Sequence, residues 1–159
     1  MLGFRRALLV VVLPAMALWL TATGVLAGGN PGRVPFPAGP PANVTCSGVP
    51  AVAVVSFDKE YAKTYILADG TVKVMVEGRQ IVTVTGNGKV LVFNSSGPGA
   101  IYFRPDHSVT VVLQGHTFYI APALDGMGLY TGLLTVDGTT GLIIRHDGHV
   151  TDVCALLLS

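Results

Sequence analysis

Residues 69–94 read Asp69-Gly70-Thr71-Val72-Lys73-Val74-Met75-Val76-Glu77-Gly78-Arg79-Gln80-Ile81-Val82-Thr83-Val84-Thr85-Gly86-Asn87-Gly88-Lys89-Val90-Leu91-Val92-Phe93-Asn94. Val72, Val74 and Val76 alternate with Lys73 and Met75, the period-two pattern of a strand. Val82 and Val84 alternate in the same way with Thr83 and Thr85. Asp69-Gly70 and Asn87-Gly88 are two-residue hairpin signals, because glycine accepts the positive φ such turns need. Glu77-Gly78 reads as a further turn. Lys89–Asn94 is apolar on both faces and reads as a central strand.

The same grammar extends in both directions. Upstream, Ala51–Phe57 and Tyr61–Ala68 read as strands. Downstream, strands are expected over Ala100–Arg104, Val109–Leu113, His116–Ile120, Leu129–Val136, Leu142–His146 and His149–Leu158. Pro105–His107, Gln114-Gly115, Ala121–Gly128, Asp137–Gly141 and Asp147-Gly148 separate them as turns or loops. Nowhere does a helical period with caps persist. The expected fold is all-β: one antiparallel sandwich or barrel of about ten short strands joined mainly by hairpins. Asp-Gly recurs, but the residues between do not match, so the recurrence is hairpin chemistry and not an internal repeat.

Three segments follow from composition. Arg5 and Arg6 precede an apolar run from Ala7 to Leu20, and Val25-Leu26-Ala27 ends in a small residue. That order is an export signal, giving residues 1–27 as a signal peptide cut after Ala27. An uncleaved anchor is the alternative, since about 20 apolar residues can cross a bilayer. Residues 28–45 are rich in Gly and Pro and read as a flexible spacer. Residues 46–159 form the β-domain. A secreted location is expected, or a membrane-anchored one with the domain outside.

The chain is 50% hydrophobic and 12% charged, which excludes intrinsic disorder. Loss of Arg5 and Arg6 from its 10 Lys and Arg leaves eight against 9 acidic residues. The linear sequence holds no basic run. Nucleic acid is therefore not expected as a partner, and a membrane only through the N-terminal segment.

Cys46 and Cys154 stand at the two ends of the domain, and an oxidising compartment favours their pairing. No Cys-x-x-C is present to support redox chemistry. If Asp147-Gly148 is a hairpin turn, His146 and His149 face each other across it and are candidate metal ligands. A third ligand would come from Asp106 or His107. Asp125 with Asp106 or Asp137 is a conceivable carboxylate pair, though Asp in turns has a simpler reading. No nucleophile elbow, zincin motif or phosphate loop occurs. Tyr102, Tyr119 and Tyr130 are candidates for an outward stacking platform. Asn43-Val44-Thr45 and Asn94-Ser95-Ser96 fit the N-glycosylation pattern. The expectation is a non-catalytic module that binds an extracellular protein or glycan and needs no cofactor. A small hydrolase or metal-dependent enzyme using His146 and His149 is the alternative.

Overall fold

The computed structural model describes residues 32–121 and 126–159, so the export segment, the start of the spacer and Asp125 lie outside the described residues. The described part is nearly all strand: β1 (Val34–Pro35), β2 (Ala42–Cys46), β3 (Val49–Ile66), β4 (Val72–Gly86), β5 (Lys89–Asn94), β6 (Gly99–Phe103), β7 (Val109–Ala121), β8 (Gly126–Asp137) and β9 (Ile143–Asp152). One short helix, α1 (Val153–Leu158), follows. All nine strands belong to one sheet ordered β1-β3-β4-β6-β7-β8-β9, with β2 also on β3 and β5 also on β4. Every pairing is antiparallel. Among the described residues no helix is long and apolar enough to cross a membrane.

The strands are fewer and longer than the turn signals implied. β3 runs for 18 residues through Asp58-Lys59-Glu60, and β4 for 15 through Glu77-Gly78. β7 passes through Gln114-Gly115. β9 passes through Asp147-Gly148, so the expected last hairpin does not form. The reason is a row of glycines. Gly115 pairs with Gly132, and Gly132 with Gly148, across three strands. Counting on from Val76↔Gly99 and Gly99↔Leu113 brings Gly78 and Gly97 into the same row. Gly78, Gly115, Gly132 and Gly148 crease the sheet instead of ending its strands, and Gly97 meets the row from the β5–β6 connection. Gly132 and Gly148 sit at φ 111° and 137°, and a Cβ on either would strike the neighbouring backbone at Asp147 O or Thr131 O. Only glycine allows both the angle and the approach.

Beyond the crease the sheet doubles over. β2 touches β8 although β3, β4, β6 and β7 lie between them in the sheet order. The main core forms in that fold. Ala51, Ala53, Val82 and Val84 from β3 and β4 meet Met127 from β8 and Val153 and Leu157 from α1. Leu91, Phe93, Phe118, Ile120 and Leu129 pack against it, with the Phe93 and Phe118 rings 5.9 Å apart. Cys46 and Cys154 are bonded inside this core, joining β2 to α1. The expected disulfide is therefore present, and it ties together the two ends of the domain.

Local chemistry explains the remaining departures. Ala42–Thr45, read as the end of a free spacer, is β2 and pairs with Pro50–Ala53. Residues 153–158 are helical, not strand. Asp152 caps them by accepting a hydrogen bond from Ala155 N at 2.9 Å. β5 is not a central strand: it pairs with β4 alone, and Val90 and Val92 are each 64% exposed. Asn87-Gly88 is the two-residue hairpin turn expected, between Gly86 and Lys89, whereas Asp69-Gly70 lies in a longer loop closed by Leu67 N donating to Thr71 O. Asn87-Gly88 has φ of 49° and 71°, the mirror-image type that matches strand twist. Asp69 and Asp137 accept backbone N–H groups from Thr71 and from Thr139 and Thr140.

Candidate ligand-binding surface

The site begins with a bulge. On the first half of β3 the odd residues Ala51, Ala53 and Val55 pair with Gly86, Val84 and Val82 and face the core. The register then slips between Val55 and Phe57. One extra residue, Ser56, moves the whole following set to the other side, because side chains alternate with period two. Asp58, Glu60 and Ala62 now face inward. Phe57, Lys59, Tyr61, Lys63 and Tyr65 face outward, aromatic and cation in strict alternation, about 6.7 Å apart along the strand.

Neighbouring strands widen this stripe into a surface. Across β4 the partners are Arg79 opposite Lys59, Glu77 opposite Tyr61, Met75 opposite Lys63 and Lys73 opposite Tyr65. Tyr102 of β6 lies opposite Lys73. The cations sit against the rings: Arg33 lies 4.3 Å above Tyr61, Lys73 5.5 Å above Tyr102, and Arg79 and Lys59 lie 5.6 and 5.8 Å from Phe57. Five of the chain's 10 Lys and Arg are thus gathered on one face. Among the described residues the one carboxylate paired into this face across β3 and β4, Glu77, is engaged by Arg33 at 3.5 Å. Lys59, Lys63, Lys73 and Arg79 make no ion pair among the described residues. Lys59 and Arg79 are directly opposed like charges, an arrangement that costs stability.

The acids lie on the other face of the same strand. Glu60 and Gln80 border a groove of about 170 Å³ at the crease, with Phe36, Ile101, Val111 and Leu113 among its apolar walls. Gln80 Nε2 donates to Glu60 Oε2 at 3.1 Å. Burial, with the nearby charge of Asp58, holds the Glu60 carboxyl above the usual carboxylate range. Sheet alternation therefore separates charge: Asp58 and Glu60 inward, Lys59 and Lys63 outward.

The residues singled out from sequence are distributed differently. His146 and His149 are three positions apart on the continuous β9 and so point to opposite faces, opposite Leu134 and Thr131 respectively. His146 is half-buried, edge-on to Tyr130 at 5.1 Å, and its buried Nε2 has no partner. His149 is exposed. Asp106 and His107 belong to the β6–β7 turn, where Asp106 binds Ser108 N and Oγ. No group of three or more His, Cys, Asp or Glu is poised for a metal ion among the described residues. The tyrosines divide. Tyr119 and Tyr130 pack on each other at 6.3 Å in a partly buried layer, with Tyr119 Oη bonded to Gly141 O. Tyr102 lies on the opposite face with Tyr61, Tyr65 and Lys73. Asn43 and Asn94 are both exposed.

Sequence reasoning missed Arg33, Phe57, Lys59, Tyr61, Lys63, Tyr65 and Arg79. The signal was available in the alternation of residues 57–65. Reading Asp58-Lys59-Glu60 as a break between two strands concealed it. The basic clustering that the linear sequence lacks is made by pairing β3 with β4. Comparison with known proteins finds no matching family model, no matching curated protein and no matching solved structure.

Proposed function

We propose that this chain is an exported, non-catalytic binding module whose ligand lies along the outer face of β3 and β4. The carrying observation is the alternating row Phe57, Lys59, Tyr61, Lys63, Tyr65, flanked by Arg79, Lys73 and Tyr102. Aromatic rings provide flat apolar contact at low entropic cost, and interleaved cations provide orientation. Such a surface suits an extended polymer better than a small molecule, because its groups repeat along a line. Export is supported by the basic head and apolar run at the N-terminus, and a disulfide-bonded domain is compatible with an extracellular location. We read the doubled sheet as a sandwich and not a closed barrel, since no ladder joins β5 to β7 among the described residues.

A glycan and peptide array, probed with the wild type and with a Tyr61→Ala/Tyr65→Ala double variant, tests this reading. The expected result is a set of hits lost in the variant while its melting temperature stays near the wild-type value. Hits retained in full by the variant would place the ligand elsewhere.

A further inference from the structure

We infer that the ligand of this face is an acidic polysaccharide, one carrying a carboxylate or similar anionic group on successive sugars; the inference rests on the outer-face reading above. Charge decides the class. Five cations lie in or beside the row, and among the described residues the one carboxylate set among them, Glu77, is already engaged by Arg33. A neutral glycan would leave Lys59, Lys63, Lys73 and Arg79 without a counter-charge, whereas a polyanion supplies one to each.

The opposition of Lys59 and Arg79 points the same way. Two cations directly across a strand pair destabilise the free protein. An anion set between them removes the repulsion. The geometry also fixes direction. Lys59 and Lys63 stand four residues apart on β3, and across the ladder Arg79 lies opposite Lys59 and Lys73 opposite Tyr65, so the cations are spread along the strand direction. The polymer therefore runs parallel to β3, with rings of Tyr61, Tyr65 and Tyr102 beneath its sugar faces. Single-stranded nucleic acid also combines phosphate charge with stacking, but the tyrosine hydroxyls match sugar hydroxyls, and the oligonucleotide in the titration separates the two.

The test is isothermal titration of the full domain with polygalacturonate, dextran, a poly(dT) oligonucleotide and vesicles of phosphatidylglycerol, at 0.05 and 0.5 M NaCl. The expected result is binding to polygalacturonate that weakens about tenfold or more at high salt, as displaced counterions require. Dextran is expected not to bind. Lys63→Gln and Lys73→Gln should each weaken binding about threefold to tenfold. Arg79→Glu carries the sharpest expectation, because it pairs with Lys59 and so raises the melting temperature by a few degrees while reducing affinity more than tenfold. A merely structural arginine would not move the two readouts in opposite directions. Dextran bound as tightly as polygalacturonate, with loss only in Tyr61→Ala, would overturn the acidic class and leave the face intact. Polygalacturonate binding untouched by every face variant would overturn both. Tighter binding to poly(dT) or to the vesicles would overturn the polysaccharide assignment.

Discussion

Tyr119 Oη donates a 2.6 Å hydrogen bond to Gly141 O, although the two residues stand at opposite ends of the β7–β8–β9 meander. In a flat sheet they would be far out of reach, since each residue advances a strand by about 3.3 Å. The bond closes because the meander folds along Gly115, Gly132 and Gly148. Leu134 and Val136, 1% and 3% exposed, are buried on the inside of that fold.

Tyr119→Phe is expected to cost about 1 kcal/mol, the net worth of one hydrogen bond whose acceptor loses its partner. Burial raises the Tyr119 hydroxyl above its ordinary value, with Tyr130 adding to the effect. The fold thus prefers the neutral phenol. Stability from this group is complete below about pH 10 and is lost as pH rises through the folded value. Urea unfolding at pH 8 and pH 11 checks both parts: the gap between wild type and Tyr119→Phe should shrink at the higher pH.

Gly132→Ala and Gly148→Ala are each expected to destabilise by about 3 kcal/mol or more, combining a disfavoured φ with collision against backbone that cannot move aside. Gly48→Ala is the control. Its φ is 87°, but nothing lies within 4 Å of the added Cβ. That substitution should cost only about 1–2 kcal/mol. Chemical denaturation of the three variants would contradict the crease if all were equally mild.

The Cys46–Cys154 bond closes a separation of 108 residues. The chain-entropy model assigns such a loop about 4–5 kcal/mol as an upper figure. A Cys46→Ser/Cys154→Ser variant should lose most of that, and it should detach α1 and β2 first because the bond is their direct link. Hydrogen exchange is expected to rise earliest at residues 42–46 and 153–158, with β7 and β8 still protected.

Glu60 supplies a pH signature. Its carboxyl is held above the usual range by burial and by Asp58. The fold therefore favours the protonated form, and stability falls as pH rises through the unfolded value near about 4.3 toward the folded one. Glu60→Gln should raise stability at pH 7 by on the order of 0.5 kcal/mol, since solvent screens a half-exposed group, and leave it unchanged at about pH 3. Asp69, Asp106 and Asp137 shift the opposite way, lowered by hydrogen bonds from Thr71, Ser108 and Thr140. Their contributions are present above their unfolded values and are lost as pH falls. A thermal melt series from pH 3 to 8 separates the two: the acid limb belongs to the aspartates, and the difference between wild type and Glu60→Gln isolates Glu60.

The legible part of the fold was local. Alternation in Val72–Val76 and Gln80–Thr85, the Asn87-Gly88 turn and the aspartate-capped turns were all readable, because each is decided by a few adjacent residues. The glycines were ambiguous for a physical reason. Gly78, Gly115 and Gly148 take positive φ as turn glycines do, yet their purpose is cross-strand contact with residues far along the chain. With Gly97 and Gly132 they fall 19, 18, 17 and 16 residues apart, a regular shortening that was the available clue. The bulge at Ser56 has no local signature, and without it the row from Phe57 to Tyr65 shares the parity of Ala51, Ala53 and Val55 and reads as core-facing. The candidate surface is hidden in the sequence for that reason, whereas Asp147-Gly148 reads as a hairpin although β9 runs straight through it.

The five tyrosines offer the most direct measurement. Tyr61, Tyr65 and Tyr102 lie on the outer face, and Tyr119 and Tyr130 form the partly buried pair. Ring-proton NMR signals of all five can be followed during titration with a galacturonate oligomer. The account predicts shifts for Tyr61, Tyr65 and Tyr102 that saturate together, with Tyr119 and Tyr130 unmoved. Saturating shifts confined to Tyr119 and Tyr130 would contradict it.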